Sequence, residues 1–298
     1  MSSPTPPSNI LSAFKPLHGG FSQALAPGSQ VVTLAGGAGA TWWERDVPVT
    51  AELPPATPVD GTRWAPDGKS LRVGLGTLDL AARAWRPERT LESWNRPWPD
   101  GSLPVRAVAS FADTAHVAML VESRARDGRR TKEIVVASAS DDRARGRREV
   151  DDFRTLIASK DRLLVAAKTV VVLDLDANVV AEPAPIPGSV TRVREGGGMF
   201  AAIGAAGDVA LVRPSDGAVL GTWDVHAFDA VPVPHGIVAA DMDGNVRVGC
   251  LEGDAIRQVA EVASGAFGPI IQLVGDRIVV AGRDTDPVRV ATFANPCR

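Results

Sequence analysis

Tyrosine is absent from the 298 residues, and aromatic side chains make up only 5% of them. The arginine-rich loops at 122–133 and 141–152 have no aromatic residues interspersed on which single-stranded nucleic acids could stack. Cysteine is almost as scarce. Cys250 and Cys297 are too few, and too far apart in sequence, to suggest a disulfide framework or a zinc site. Both are read as incidental, one in a strand and one in the C-terminal tail. The four histidines, His18, His116, His226 and His235, are scattered without metal-ligand spacing. No G-x-S-x-G elbow, P-loop or H-E-x-x-H motif occurs. GGAGA at 36–40 and REGGGM at 194–199 are glycine-rich, yet neither opens a helix that would cradle phosphate. No apolar run reaches the roughly 18 residues of a membrane-spanning helix. The opening MSSPTPPSNI lacks both the basic start and the apolar stretch of a secretory signal. An excess of either charge is missing too: 32 basic against 35 acidic residues give −3, which argues against general affinity for nucleic acid or anionic membranes. A cytoplasmic protein without a cofactor is expected.

What the chain does have is repetition. Short runs rich in Val, Ile and Leu recur, each bounded by Gly, Asp, Pro or Asn, the pattern of strands and tight turns. RLLVAAK and TVVVLDLDANVVAEPAPI, within 162–186, form strands that meet a turn at Asp176, Ala177 and Asn178. The design returns at 208–225 with Ser215, Asp216 and Gly217 in the turn, and at 245–262 with Gly253 and Asp254. Two further strands precede each hairpin, so units begin near residues 154, 191, 230 and 268, spaced 37 to 39 residues apart. Four antiparallel strands per roughly 40 residues is propeller spacing. Stacking such units about an axis buries both faces of each.

The N-terminal half carries the pattern less clearly, with units beginning near 21, 61 and 106. The expectation is an all-β, seven-bladed β-propeller of four-stranded antiparallel blades, a single domain over 1–298, with 1–8 a flexible leader. The last blade reads PIIQLV, DRIVVAG and PVRVATF, one strand short. Residues 9–17 have no blade of their own, so Ile10–Leu17 is predicted to pair beside Val288–Phe293 and close the ring by N-terminal strand pairing.

WAPDGKSL, VVVLDLDANVV and ALVRPSDGAVLG resemble the WD-repeat and quinoprotein-like β-propeller superfamily over nearly the whole chain. Only Trp223-Asp224 matches the Trp-Asp dipeptide, and the repeated His of that network is missing. The resemblance therefore implies fold alone, and no family active site is carried over.

Three sets of residues bear on function. Arg63, Arg106, Arg154 and Arg192 fall near the starts of predicted inner strands, which would gather them at the mouth of the channel. They either hold an acidic tail or anionic ligand, or each pairs with a neighbouring acid such as Asp60, Asp152 or Glu195. Trp85, Trp94 and Trp98 lie in a long connection, RAWRPERTLESWNRPWPDG; Trp85 is assigned to the core, while Trp94 and Trp98 divide between packing and partner contact. Asp60, Asp152 and Asp229 stand just before inner strands, where a propeller hydrolase or lactonase would hold an axial metal, although Asp is also the ordinary turn residue there. The arginine-rich loops at 122–133 and 141–152 carry interleaved acids and read as solvated hairpin tips. The reading is a non-enzymatic, protein-binding scaffold subunit of a bacterial multiprotein assembly, with the metal-dependent hydrolase as the alternative.

Overall fold

The computed structural model describes residues 10–18, 24–25, 32–35, 39–44, 47–54, 57, 62–65, 69–97, 99, 103–113, 115–124, 129–141, 143–167, 169–183, 189–274, 276–282 and 288–298. An initial strand, β1 (Lys15–His18), is followed by β2 (Ala24–Leu25), β3 (Val32–Ala35), β4 (Gly39–Glu44) and β5 (Val47–Ala51). The next group is β6 (Arg63–Trp64), β7 (Ser70–Val73), β8 (Gly76–Asp79) and β9 (Ala84–Pro87). After a short helix, α1 (Arg89–Glu92), come β10 (Val105–Ser110), β11 (His116–Arg124), β12 (Arg130–Ser138) and β13 (Ala144–Glu149). Then follow β14 (Thr155–Ala158), β15 (Leu163–Ala166), β16 (Val170–Leu173) and β17 (Val179–Ala181). The best-defined repeats are β18 (Val190–Gly196), β19 (Met199–Gly204), β20 (Asp208–Val212) and β21 (Val219–Asp224), then β22 (Ala227–Val233), β23 (Gly236–Asp241), β24 (Asn245–Glu252) and β25 (Ala255–Ala263). The chain ends with β26 (Ile270–Val274), β27 (Arg277–Ala281) and β28 (Val288–Thr292).

Each group pairs in sequence order as an antiparallel meander, the arrangement of propeller blades. Five sheets have four strands; an eight-stranded sheet joins β18–β21 to β22–β25 through one parallel bridge, Thr222 opposite Ala255. β1 completes the final sheet. Lys15 lies opposite Val290 and His18 opposite Val288, and Leu11 bridges Phe293. Ser12 N donates to Thr292 O at 3.1 Å, and Ala294 N donates to Ile10 O at 3.0 Å.

The core is divided among the seams between consecutive sheets. Trp42, Val49, Leu71 and Leu78 fill the first seam, and Leu91, Val108, Met119 and Val135 line the second. Leu120, Ile134, Leu163 and Leu173 fill the third, and Leu164, Val172, Phe200 and Val212 the fourth. Ala201, Leu211, Ile237 and Ala239 pack the fifth; Val238, Val248, Ile278 and Phe293 pack the sixth, where Ile10 and Leu11 join them. β2 lies against β26 and β27, bringing the first sheet beside the last. Central strands such as β15 (LLVA) and β19 (MFAAIG) are buried at every residue, because each has a neighbouring sheet on both faces. Their sequences are therefore continuous apolar runs rather than alternations. β13 (ARGRRE), at the rim, is never fully buried.

The turns follow the chemistry expected of Asp, Asn and Gly. Asp174 Oδ1 accepts from the amides of Asp176 at 2.8 Å and Asn178 at 2.9 Å, which holds Ala177 at φ 60°. Asp241 repeats this with Asp243 N at 3.0 Å and Asn245 N at 2.9 Å.

Two expectations are corrected. Cys250 and Cys297 are not incidental: they form a disulfide that ties the C-terminal tail to β24. Pairing of residues 47 apart in sequence needs only that the tail cross to the neighbouring sheet, a tertiary event that spacing does not reveal. The long Trp-rich connection is not all loop either. It contains α1 and a 3₁₀ turn, Ser93–Asn95, that seat Leu91 and Trp94 in the second seam.

Candidate partner-binding site

The four arginines do not share one position in their strands. Arg63 sits opposite Arg72 in β6, Arg106 falls in a bulge between Val105 and Ala107, and Arg192 pairs in register with Ile203. Arg154 precedes β14, its backbone N–H donating to Ala166 O at 2.9 Å.

Three of them are engaged internally. Arg63 Nη2 reaches Ala158 O at 2.8 Å and Glu195 at 3.0 Å, linking the second sheet to the β14–β17 sheet and to β18. Arg106 Nε donates to Glu122 Oε2 at 2.9 Å, and Arg130 Nη1 donates to Oε1 of the same buried carboxylate at 3.1 Å. Arg192 Nη1 donates to Phe228 O at 3.1 Å, lies 3.5 Å from Asp229 Oδ1, and its guanidinium stacks over the Phe228 ring 4.7 Å from the centroid. Arg154 is exposed and makes no side-chain ion pair among the described residues.

Asp229 stands within β22 and has no exposed surface. Arg194 grips it from β18 through Nε at 2.9 Å and Nη2 at 2.6 Å, and Ile271 N donates to it from β26 at 2.9 Å. Burial opposes its ionisation most. The Arg194 charge and hydrogen bonds, the Arg192 charge and the Ile271 amide outweigh that, holding the carboxyl below the usual aspartate range. Such a group is a tether between β18, β22 and β26. Asp152 is exposed in a turn at φ 49°, unlike the fully buried Asp229, and Asp60 lies outside the described residues. Among the described residues no group of three or more His, Cys, Asp or Glu side chains is placed to hold a metal ion. His116 accompanies Asp113 at 2.7 Å, while His226 and His235 occupy left-handed turns at φ 49° and 58°.

Beside Arg106 and Arg130 opens a groove of about 430 Å³, between the β11–β12 hairpin and the chain leading into β14. Arg129, Arg130 and Lys132 face Glu149, Asp151 and Asp152 across it, with Glu122 at its base. Trp94 is half-buried: one side packs in the second seam and Arg147 stacks on its ring at 4.8 Å. Arg147 is itself paired with Glu133 at 3.4 Å. Trp85 packs in the first seam and donates to Val73 O at 3.1 Å. Trp98 lies outside the described residues.

One feature gave no signal in the sequence. Arg63, Arg72, Thr77 and Arg86 form a row across the second sheet. Arg72 is 8% exposed, and its Nε and Nη1 lack a hydrogen-bond partner among the described residues. Its nearest carboxylate, Glu88, is 3.7 Å away. Burial pushes its pKa down, against the charges of Glu88 and Asp113.

No family model and no curated protein sequence matches the chain. Solved structures do. The WD40 repeats of RRP9 superpose with a TM-score of 0.70 at 11% identity, over 97% of this chain and 99% of that one. A chain of the mitotic checkpoint complex gives 0.65 at 13% identity, over 99% and 98%. BamB from Moraxella catarrhalis gives 0.59 at 13% identity, over 95% and 100%. At these identities the likeness concerns architecture. In fold, the chain is a β-propeller, the architecture it shares with the RRP9 WD40 repeats and with BamB.

Proposed function

We propose that the chain is a seven-bladed propeller, closed by β1, that serves as a non-enzymatic scaffold and binds a protein partner within a bacterial multiprotein assembly. Counting the two halves of the eight-stranded sheet separately gives the seven blades. The observation that carries the functional reading is the pairing of charged groups around the axis. Arg63 with Glu195, Arg192 and Arg194 with Asp229, and Arg106 with Glu122 commit those groups to joining the structure. What faces outward without an ion pair among the described residues is Arg154, two residues along the chain from Asp152, which lines the charged groove. A solved relative in fold comes from the mitotic checkpoint complex, which shows such a ring inside an assembly.

Arg154, with Arg129 and Arg130, is the docking point in this reading, for an acidic segment of the partner. Arg106 contributes by fixing the groove, whereas Arg63 and Arg192 keep the ring in shape. Trp94 under Arg147, and Trp98, form the rim contact. A cytoplasmic location fits only with Cys250–Cys297 open or transiently formed there. The test is capture of partners by tagged protein from its native host, comparing the unaltered chain with Arg154→Glu. A partner retained by the first and lost by the second, with unchanged thermal unfolding, supports the reading. Equal retention removes Arg154 from the site.

A further inference from the structure

The C-terminal tail leaves β28 and crosses to the preceding sheet. Phe293 N donates to Asp276 O at 2.7 Å, Asn295 Nδ2 donates to Pro234 O at 3.0 Å, and Cys297 N donates to Asn295 Oδ1 at 3.1 Å. Cys297 then lands between β23 and β24, 8% exposed, with its sulfur 3.6 Å from Gly249 O. A Cβ on Gly236 would stand 2.5 Å from that sulfur and 2.5 Å from Gly249 O, so the seat exists only because residue 236 has no side chain. The same tail holds the start of the chain: Ile10 O accepts from Ala294 N, and Leu11 bridges Phe293. One covalent bond therefore secures the last strand, the tail and the N-terminal strand that leans on both.

We propose that Cys250–Cys297 is a thiol–disulfide exchange site that latches the junction of the two chain ends, opened by a low-molecular-weight thiol or a dithiol oxidoreductase. Cys250 is half-buried and Cys297 buried, so an incoming thiolate meets Cys250 first. Arg257, 62% exposed and paired with Glu252 at 3.5 Å, lies opposite Cys250 in register beside that approach. The thiolate attacks the Cys250 sulfur, a mixed disulfide forms, and Cys297 leaves as thiolate and takes a proton. A second thiol attacks the reductant's own sulfur in the mixed disulfide and releases Cys250. In sum, one protein disulfide and two thiols give one protein dithiol and one reductant disulfide. With the bond open, the tail is held by the hydrogen bonds of Phe293, Ala294 and Asn295 without a covalent tie, and local opening of β1 and β28 becomes easier.

The test uses the full chain, oxidised, reduced with dithiothreitol, and reoxidised. Reduction is expected to speed hydrogen exchange at Ser12, Thr292 and Ala294 by about tenfold or more, reversibly, while amides of β15 and β19 stay protected. The double variant Cys250→Ser/Cys297→Ser should show the fast pattern with or without reductant. If that variant does not fold, reduction of the folded native chain decides alone. Equal exchange in both redox states, or two alkylatable thiols in the air-oxidised protein, overturns the latch.

Discussion

Charge is used in two opposite ways at the level of single residues. Asp229 is fully buried yet surrounded by Arg194, Arg192 and the Ile271 amide. Asp229→Asn leaves two guanidiniums facing a neutral amide, and is expected to lower unfolding free energy by about 3 kcal/mol in denaturant titration. The pH dependence has a definite sign. Because the folded-state pKa lies below the unfolded one, the carboxylate's contribution is complete above the ordinary aspartate value near 4. It fades as pH falls through the folded-state value, so acid titration of the Asp229→Asn variant should lose part of the native chain's fall in stability. Arg72 is the reverse case, a buried cation with two unpartnered nitrogens. Arg72→Met should stabilise the protein by about 1 kcal/mol or more, read from the denaturation midpoint; destabilisation would mean that Glu88 compensates the charge better than 3.7 Å allows.

Among the strands, legibility in the sequence followed burial. β15, β19 and β23 as far as Ala240 were plain because each is sandwiched between sheets and runs apolar through its buried length. The hairpin turns were equally plain, since Asp174 and Gly217 (φ 69°) sit where their conformations require them. α1 escaped notice because four residues cannot display a helical period, and Leu91 alone marks its buried face. The arginine set was partly legible: the acid Glu195 was foreseen as a partner, but pairing across the molecule, from residue 63 to residue 195, depends on ring geometry. Asp229 was noted for an axial metal, though in the sequence nothing separates an Asp that binds an ion from one that binds two arginines. Trp94 now has a structural share. Trp94→Ala should cost about 2 kcal/mol of stability through its contacts with the Leu91 cluster, besides any loss of partner binding. An unchanged melting temperature would return it wholly to the interface.

For the molecule as a whole, the ends matter most. Deleting residues 1–18 removes β1 and bares the β28 edge, so the truncated chain should unfold at lower denaturant and self-associate in light scattering. Gly236→Ala probes the other end by crowding the Cys297 seat; it should cost about 1–3 kcal/mol and leave part of the protein with free thiols.

The bridge between Thr222 and Ala255 has a mechanical corollary. The β18–β21 and β22–β25 groups, stacked face to face through the fifth seam, also touch at their outer strands through that one pair. Twisting strain imposed by a bound partner should therefore part these two groups less readily than neighbours that share a seam alone.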